Sequence, residues 1–385
     1  MGDEALTQKK LRAVFMRGGT SKGLVFRQED LPPARDDWAP IFTAAMGSPD
    51  PNGRQLDGMG GGVSSVSKVC VVGPPTHPDA DVDFTFVQVL VTENVADYGS
   101  NCGNMSSAIG PFAIEEGIIN GPHDGEAVVR IHNTNTGKIV VSRFRMANGE
   151  AAVEGDLVLD GVAGSGAPIK LDFAEPGGSR TGRILPTGNT IDRLELGALG
   201  TIEASLIDVA LPVVVVRARD LGLSGFELPV ELDAQPDILA KLEAIRRAAS
   251  VRMGLTADLD AAAALGSVPK VGFVTAPADY RTLSGRAVTA DDMDLTVRMV
   301  SMGQPHRATP LTGALCLAAA CRIPGTIPNA TMNRQGDGAL RLGHPSGVVQ
   351  VDAGVSEIDG QPHVAYASVY RTARRLFEGN VLYRG

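Results

Sequence analysis

The segment Asn101-Cys102-Gly103-Asn104 sets a thiol between two amides and beside a glycine, just ahead of an apolar stretch. Met105, Ile109, Phe112 and Glu116 then recur every three or four residues with small residues between them, which predicts a buried helix over 102–116. The first backbone N–H groups of a helix have no intrahelical acceptor and together carry about half a positive charge. Such an end takes a carboxylate and favours a thiolate. Cys102 is therefore a candidate proton-transfer thiol, Gly103 admits a ligand close to the backbone, and Asn101 or Asn104 can cap. The competing reading is a cysteine packed in a core beside an ordinary cap, since cysteine is among the most buried residue types.

Lys68 is the second candidate. It follows the Gly/Ser run 60–67, which ends in Ser67, and opens the apolar stretch Val69-Cys-Val-Val72. Burial lowers a lysine's affinity for its proton and makes it a base near neutrality. Residue type alone favours the plainer alternative, a strand-end lysine that reaches water. In Met16-Arg-Gly-Gly-Thr-Ser-Lys-Gly23, Gly18 and Gly19 permit a tight turn, and Thr20 and Ser21 add hydroxyls, so the turn is either a carboxylate cradle or a plain hairpin. It lacks the Walker spacing, and Gly58–Gly62 follows no strand, so neither reads as a nucleotide loop. The fourth segment, Gln304 to Gly313, opens a second apolar helix over 312–321 and supplies His306, Arg307 and Thr312. Two helix starts facing one cleft would hold a dicarboxylate from both sides. No Ser/His/Asp order and no metal-ligand spacing stands out.

These segments need strands to carry them. Short β-branched or alternating runs predict strands at 12–16, 24–27, 68–72, 81–92, 127–132 and 138–145, then at 201–209, 213–217, 271–275, 348–352 and 363–370. Within 81–92, Val82, Phe84 and Phe86 share one face, as in a half-buried strand, and Pro111 is expected to kink the first apolar helix. An amphipathic surface helix is predicted over 236–249, with Pro236 in its first turn. Each half thus contains several strands and one helix too apolar for a water-facing position. Two curled sheets, each wrapped around its own helix, are the economical α/β arrangement, with the boundary at the turn-rich Leu185-Pro-Thr-Gly-Asn189. The expected domains are 1–185 and 186–374.

The 385 residues are 43% hydrophobic, 21% charged and 4% aromatic, with 46 glycines, a profile of globular rather than disordered chains. A net charge of −9 argues against a nucleic-acid partner, and an anionic substrate would need local donors to offset the overall field. The start MGDEALTQKK does not read as a secretory leader, and no run approaches the length that spans a bilayer. The four cysteines lack CxxC spacing, which fits reduced thiols in a cytoplasmic protein.

The ordered set Met16–Gly23, Gly47–Asp50, Gln55–Gly60, Ser67-Lys68, Asn101–Asn104, Leu185–Asn189 and Arg371-Thr-Ala-Arg374 resembles the 2-methylaconitate isomerase family. That family includes 3-methylitaconate Δ-isomerase and the 4-oxalomesaconate isomerases and tautomerases. The resemblance runs from about residue 11 to the end, and Gly73–Asp83 and Ile131–Lys138 are most like the methylitaconate branch. It implies a diaminopimelate-epimerase-like fold with the site in the cleft between two domains, 375–385 returning to the first. It also implies catalytic Lys68 and Cys102 acting on a small unsaturated polycarboxylate, for which Thr20, Ser21, Ser67, Asn101, Gly103, Asn104, His306, Arg307 and Thr312 are the candidate contacts. Epimerases of this fold use two thiols; here the second helix start offers His306, Arg307, Thr309 and Thr312 instead, which argues against two-thiol racemisation. The implied activity is a cofactor-independent 1,3-allylic proton shift, with cis–trans isomerisation, tautomerisation or non-catalytic dicarboxylate binding as alternatives. A homodimer is compatible with the resemblance.

Overall fold

The computed structural model describes residues 7–99, 101–333 and 338–384, so most of the stretch read above for a leader lies outside the described residues. The chain forms two units, one ending at Phe173 and completed by the segment from Tyr370 onward, the other running from Ala174 to Val369. The turn at 185–189, where a division was expected, falls inside the second unit.

In the first unit the strands are β1 (Lys9–Gly18), β2 (Ser21–Arg27), β3 (Lys68–Gly73), β4 (Val82–Val89), β5 (Gly125–Asn133), β6 (Lys138–Ala147) and β7 (Ile169–Ala174). Neighbours pair in chain order: β1–β2 antiparallel, β2–β3 parallel, β3–β4 antiparallel, β4–β5 parallel, then β5–β6 and β6–β7 antiparallel. Helix α1 (Trp38–Met46) connects the parallel pair β2/β3, and α2 (Gly103–Glu115) connects β4/β5. Val69, Val71, Val87 and Val89 turn to the face where Trp38, Phe42 and Met46 of α1 pack. By strand alternation Cys70, Val72, Phe84 and Phe86 turn the other way, toward α2, which packs against β1 to β6. Strand β4 is therefore buried on both faces, not half-buried as its alternation suggested, because α1 covers the second side. Pro111 is accommodated within α2 without ending it.

The second unit is built from β8 (Asp192–Glu195), β9 (Thr201–Val209), β10 (Leu211–Arg217), β11 (Lys270–Thr275), β12 (Leu295–Ser301), β13 (Leu340–His344), β14 (Gly347–Ile358) and β15 (Gln361–Arg371). The amphipathic helix α3 (Pro236–Arg252) links the parallel pair β10/β11, and the apolar α4 (Leu311–Arg322) lies between β12 and β13. Leu242, Ile245 and Ala249 of α3 share a core with Val271 and Phe273 of β11. Helix α4 is buried from Gly313 to Cys321.

The chain does not close with the strand at 363–370. A further strand, β16 (Ala373–Tyr383), pairs antiparallel with the whole of β1 and belongs to the first unit. Among the described residues no helix is long and apolar enough to cross a membrane.

Candidate active site

Cys102 is the N-cap of α2, and the Ser106 N–H closes the first turn on the Cys102 carbonyl at 3.1 Å. The cap makes no side-chain hydrogen bond, so neither neighbouring asparagine caps the helix as expected. Asn101 Oδ1 instead accepts from Asn133 Nδ2 at 2.7 Å, and Asn135 Nδ2 donates to the Tyr98 carbonyl at 2.8 Å. The Asn-Thr-Asn turn between β5 and β6 thus clamps the segment that leads into Cys102. The N–H groups of Gly103, Asn104 and Met105 precede the first intrahelical bond and are left for a ligand.

Asn104 points its side chain at the β1–β2 hairpin. Its Nδ2 donates to Thr20 Oγ1 at 3.0 Å, and its Oδ1 accepts from Arg371 Nε at 3.0 Å. The approach is close enough that a Cβ on Gly18 would lie 2.6 Å from the Asn104 carbonyl oxygen. The hairpin is a packed support more than an open cradle, since the Gly19 N–H is already spent on the Thr372 carbonyl at 2.9 Å. Ser21, the first residue of β2, stands 3.9 Å from the Cys102 sulfur.

Lys68 opens β3 and is buried, 8% exposed, contrary to the strand-end arrangement that residue type favoured. Gly23 lies beside it in the parallel pair, and a Cβ there would come within 2.2 Å of the Lys68 carbonyl oxygen, so only glycine lets the strands meet. Across the antiparallel pair Lys68 faces Gln88, whose Oε1 accepts from Nζ at 2.7 Å. The amide is held that way round because Gln88 Nε2 donates to the Ser67 and Ser64 carbonyls at 2.8 and 3.1 Å. The ammonium also lies 4.9 Å from the centre of the Phe86 ring. Ser67 is fully buried, donating to the Val89 carbonyl at 2.8 Å and accepting from Gln55 Nε2 at 2.7 Å. Its hydroxyl therefore braces the start of β3 from inside.

Ser21 and Gly23 share a face of β2, and Lys68 and Cys70 share the adjoining face of β3. Ser21 touches the Cys102 sulfur, and the Cys70 thiol, pushed well up by burial, feels the charges of both Cys102 and Lys68. The sheet register thus brings Lys68 and Cys102 to the same inner face, at the open end of α2.

Arg371 belongs to one of the motifs that carry the resemblance, but its residue type assigns it no role, and no local signal in the sequence marks Gln88. Arg371 is 9% exposed, and apart from Asn104 its guanidinium donates to the Tyr370 carbonyl at 2.8 Å. Burial lowers its pKa to about 10, and the nearby Cys102 charge acts the other way. Among the described residues neither Lys68 nor Arg371 ion-pairs with a carboxylate, which leaves two cationic groups in position to receive an anion. A cavity of about 670 Å³ elsewhere in this unit, lined by Ser48, Asp50, Asp57 and Arg384, contains none of these residues.

In the second unit, His306 N–H donates to the Met299 carbonyl at 2.8 Å, and the Arg307 carbonyl accepts from Ser346 Oγ at 2.7 Å. Thr312 lies in the first turn of α4, whose N-cap, Pro310, offers no side-chain acceptor. Among the described residues no group of three or more His, Cys, Asp or Glu side chains is placed to hold a metal ion.

The model of the PrpF protein family matches residues 8–384. The chain is 41% identical to the 2-methyl-aconitate isomerase of Cupriavidus necator over 97% of its own length and 96% of the relative's. It is 41% identical to the 3-methylitaconate isomerase of Eubacterium barkeri, covering 97% of each. The crystal structure of a methylitaconate-delta-isomerase superposes with a TM-score of 0.90 at 40% identity, covering 98% of this chain and 96% of that one. The resemblance carried by the motifs thus extends over nearly the whole sequence and the fold, and the chain belongs to the PrpF protein family.

Proposed function

We propose that this protein is an isomerase that shifts a double bond in a small unsaturated di- or tricarboxylate by 1,3-allylic proton transfer, without a cofactor. The observation that carries the reading is Lys68: a buried amine, hydrogen-bonded to a neutral amide, on the same inner face as Cys102. The relatives' isomerase activities support the reaction class.

In this reading Lys68, or the Cys102 thiolate, removes a proton from the carbon next to a double bond that bears a carboxylate. The C–H electron pair enters the π system and gives a dienolate. Its developing charge meets the free N–H groups of α2, the kind of fixed donor that stabilises an oxyanion best when water is excluded. Proton return two carbons away completes the shift, and proton return to the same carbon after bond rotation would be cis–trans isomerisation. The substrate's own carboxylates delocalise the charge, so the step calls for no electron sink from outside. Thr20, Ser21 and Asn104 flank the thiol as carboxylate contacts, and His306, Arg307 and Thr312 are proposed carboxylate contacts of the second unit. A homodimer is proposed alongside, a second copy covering the exposed Leu376, Phe377 and Leu382 of β16; a molar mass from light scattering decides it.

The test is proton NMR in deuterated water with a panel of unsaturated di- and tricarboxylates. The native protein should interconvert one of them and place deuterium at the carbon that becomes saturated. Lys68→Met should lower kcat by at least about a hundredfold, the usual weight of a general base, while affinity for the acid falls far less. Exchange that survives in Lys68→Met would move the base to Cys102. No conversion of any panel member by the native protein would sink the reading.

A further inference from the structure

The two units repeat one another strand for strand. In the first, β2–β3 are parallel, β3–β4 antiparallel and β4–β5 parallel, with α1 and α2 in the two parallel crossovers. In the second, β10–β11, β11–β12 and β12–β13 follow the same series, with α3 and α4 in the same two places. Strand β11 is thus the counterpart of β3, and its first residue, Lys270, stands where Lys68 stands.

The correspondence holds in detail. Val271 and Phe273 face the core under α3, as Val69 and Val71 face the core under α1, so alternation turns Lys270 inward like Lys68. Val271 pairs with Val300, which sets Lys270 opposite Ser301, and Nζ donates to Ser301 Oγ at 2.9 Å where Lys68 donates to Gln88. The first turn of α4 lies against the same inner face: Gly272 pairs with Met299, and a Cβ on Gly313 would sit 2.6 Å from the Met299 sulfur. His306 hangs from the Met299 carbonyl, and its Nε2 is buried without a hydrogen-bond partner among the described residues.

We propose that Lys270 and His306 form a carboxylate-binding site in the second unit, the counterpart of the Lys68 end of the first, with Lys270 supplying the charge and His306 Nε2 a hydrogen bond. Among the described residues Lys270 has a hydroxyl partner but no carboxylate, and His306 has a ring nitrogen with no hydrogen-bond partner. A carboxylate oxygen between them satisfies both. Burial lowers the pKa of each, and the Lys270 charge lowers that of His306 further, a penalty that a bound anion relieves. No thiol stands at this helix start, so the second unit contributes binding rather than a second sulfur.

The ligand class rests on the proposed isomerase reading, so the experiment measures binding apart from turnover. Calorimetric titration with tricarballylate, a saturated and unreactive tricarboxylate, is run on the native protein, Lys270→Met, Lys270→Arg, His306→Gln and the control Lys241→Met on α3. A hydrogen bond to a charged group contributes about 1.5–3 kcal/mol, so Kd should rise at least about tenfold in Lys270→Met. Lys270→Arg should recover much of the loss, His306→Gln should weaken binding severalfold, and Lys241→Met should match the native protein. Circular dichroism melts verify that each variant folds. Native-like Kd in a folded Lys270→Met, or no binding by the native protein, overturns the site. Lys270-dependent binding by a protein that isomerises nothing would keep the site and discard the isomerase.

Discussion

At the scale of single residues, the candidate site depends on polar groups being held in one orientation by neighbours that do no chemistry themselves. Gln88 can present only its carbonyl to Lys68 because its amide nitrogen is occupied by two backbone carbonyls. Cys102 differs from the other three cysteines in position: Cys70, Cys316 and Cys321 are wholly enclosed, and burial pushes the Cys70 and Cys316 thiols up. Iodoacetamide should therefore label Cys102 first, which peptide mapping by mass spectrometry will check; uniform labelling would contradict the helix-end thiol. Cys102→Ser should fold normally and lose at least about a hundredfold in kcat, because a hydroxyl is a far weaker acid than a thiol. Near-native turnover in that variant would make Cys102 a packing residue.

At the scale of elements, α2 must be held at both ends to present its N-terminus. Its far end carries Glu116, a carboxylate at a helix C-terminus, where the dipole disfavours negative charge. Arg12 of β1 and Arg375 of β16 offset this, donating to it at 2.9 and 2.8 Å, and the carboxylate is only 3% exposed. Burial alone would raise its pKa; the two arginines outweigh burial and hold it below the usual value of 4.5. A depressed folded pKa means that the contribution to stability is complete above the unfolded value and is lost as pH falls through the folded one. Glu116→Gln should thus cost about 1.5–3 kcal/mol at neutral pH, and the gap between native and variant should close as pH drops below about 4.5. Urea melts at several pH values measure this, and a gap independent of pH would refute the charge-based account.

At the scale of the whole chain, the first unit is discontinuous. Strand β16 comes from the last residues yet pairs with all of β1, contributing the buried Ala373 and Val381. Removing everything after Thr372 strips β1 of one partner along its length and exposes Ala13 and Phe15 of the core. Because domain stability is only about 5–15 kcal/mol, the truncated protein should lose cooperative unfolding and become insoluble. A sharp thermal transition close to that of the full chain would show that β16 is an ornament.

The sequence by itself determined the two apolar helices, most strands to within a few residues, and the thiol at a helix start. These follow from local patterning: apolar spacing of three or four marks a helix, and β-branched runs mark strands. Local patterning did not reveal α1 or the strands β7, β8, β12, β13 and β16. Trp38–Met46 has its apolar residues on a short stretch without a side-chain cap, and β16 shows four charged or polar-amide side chains among its apolar ones. Whether Lys68 is buried was equally beyond local pattern, because burial depends on Gly23 and Gln88, both distant in sequence, arriving on either side of it. The same holds for Arg371, which lies 267 residues from the asparagine it bonds. Periodicity is a property of neighbours along the chain, whereas desolvation and register are set by strands meeting from far apart, so only the tertiary structure decided which cations lack a counter-charge.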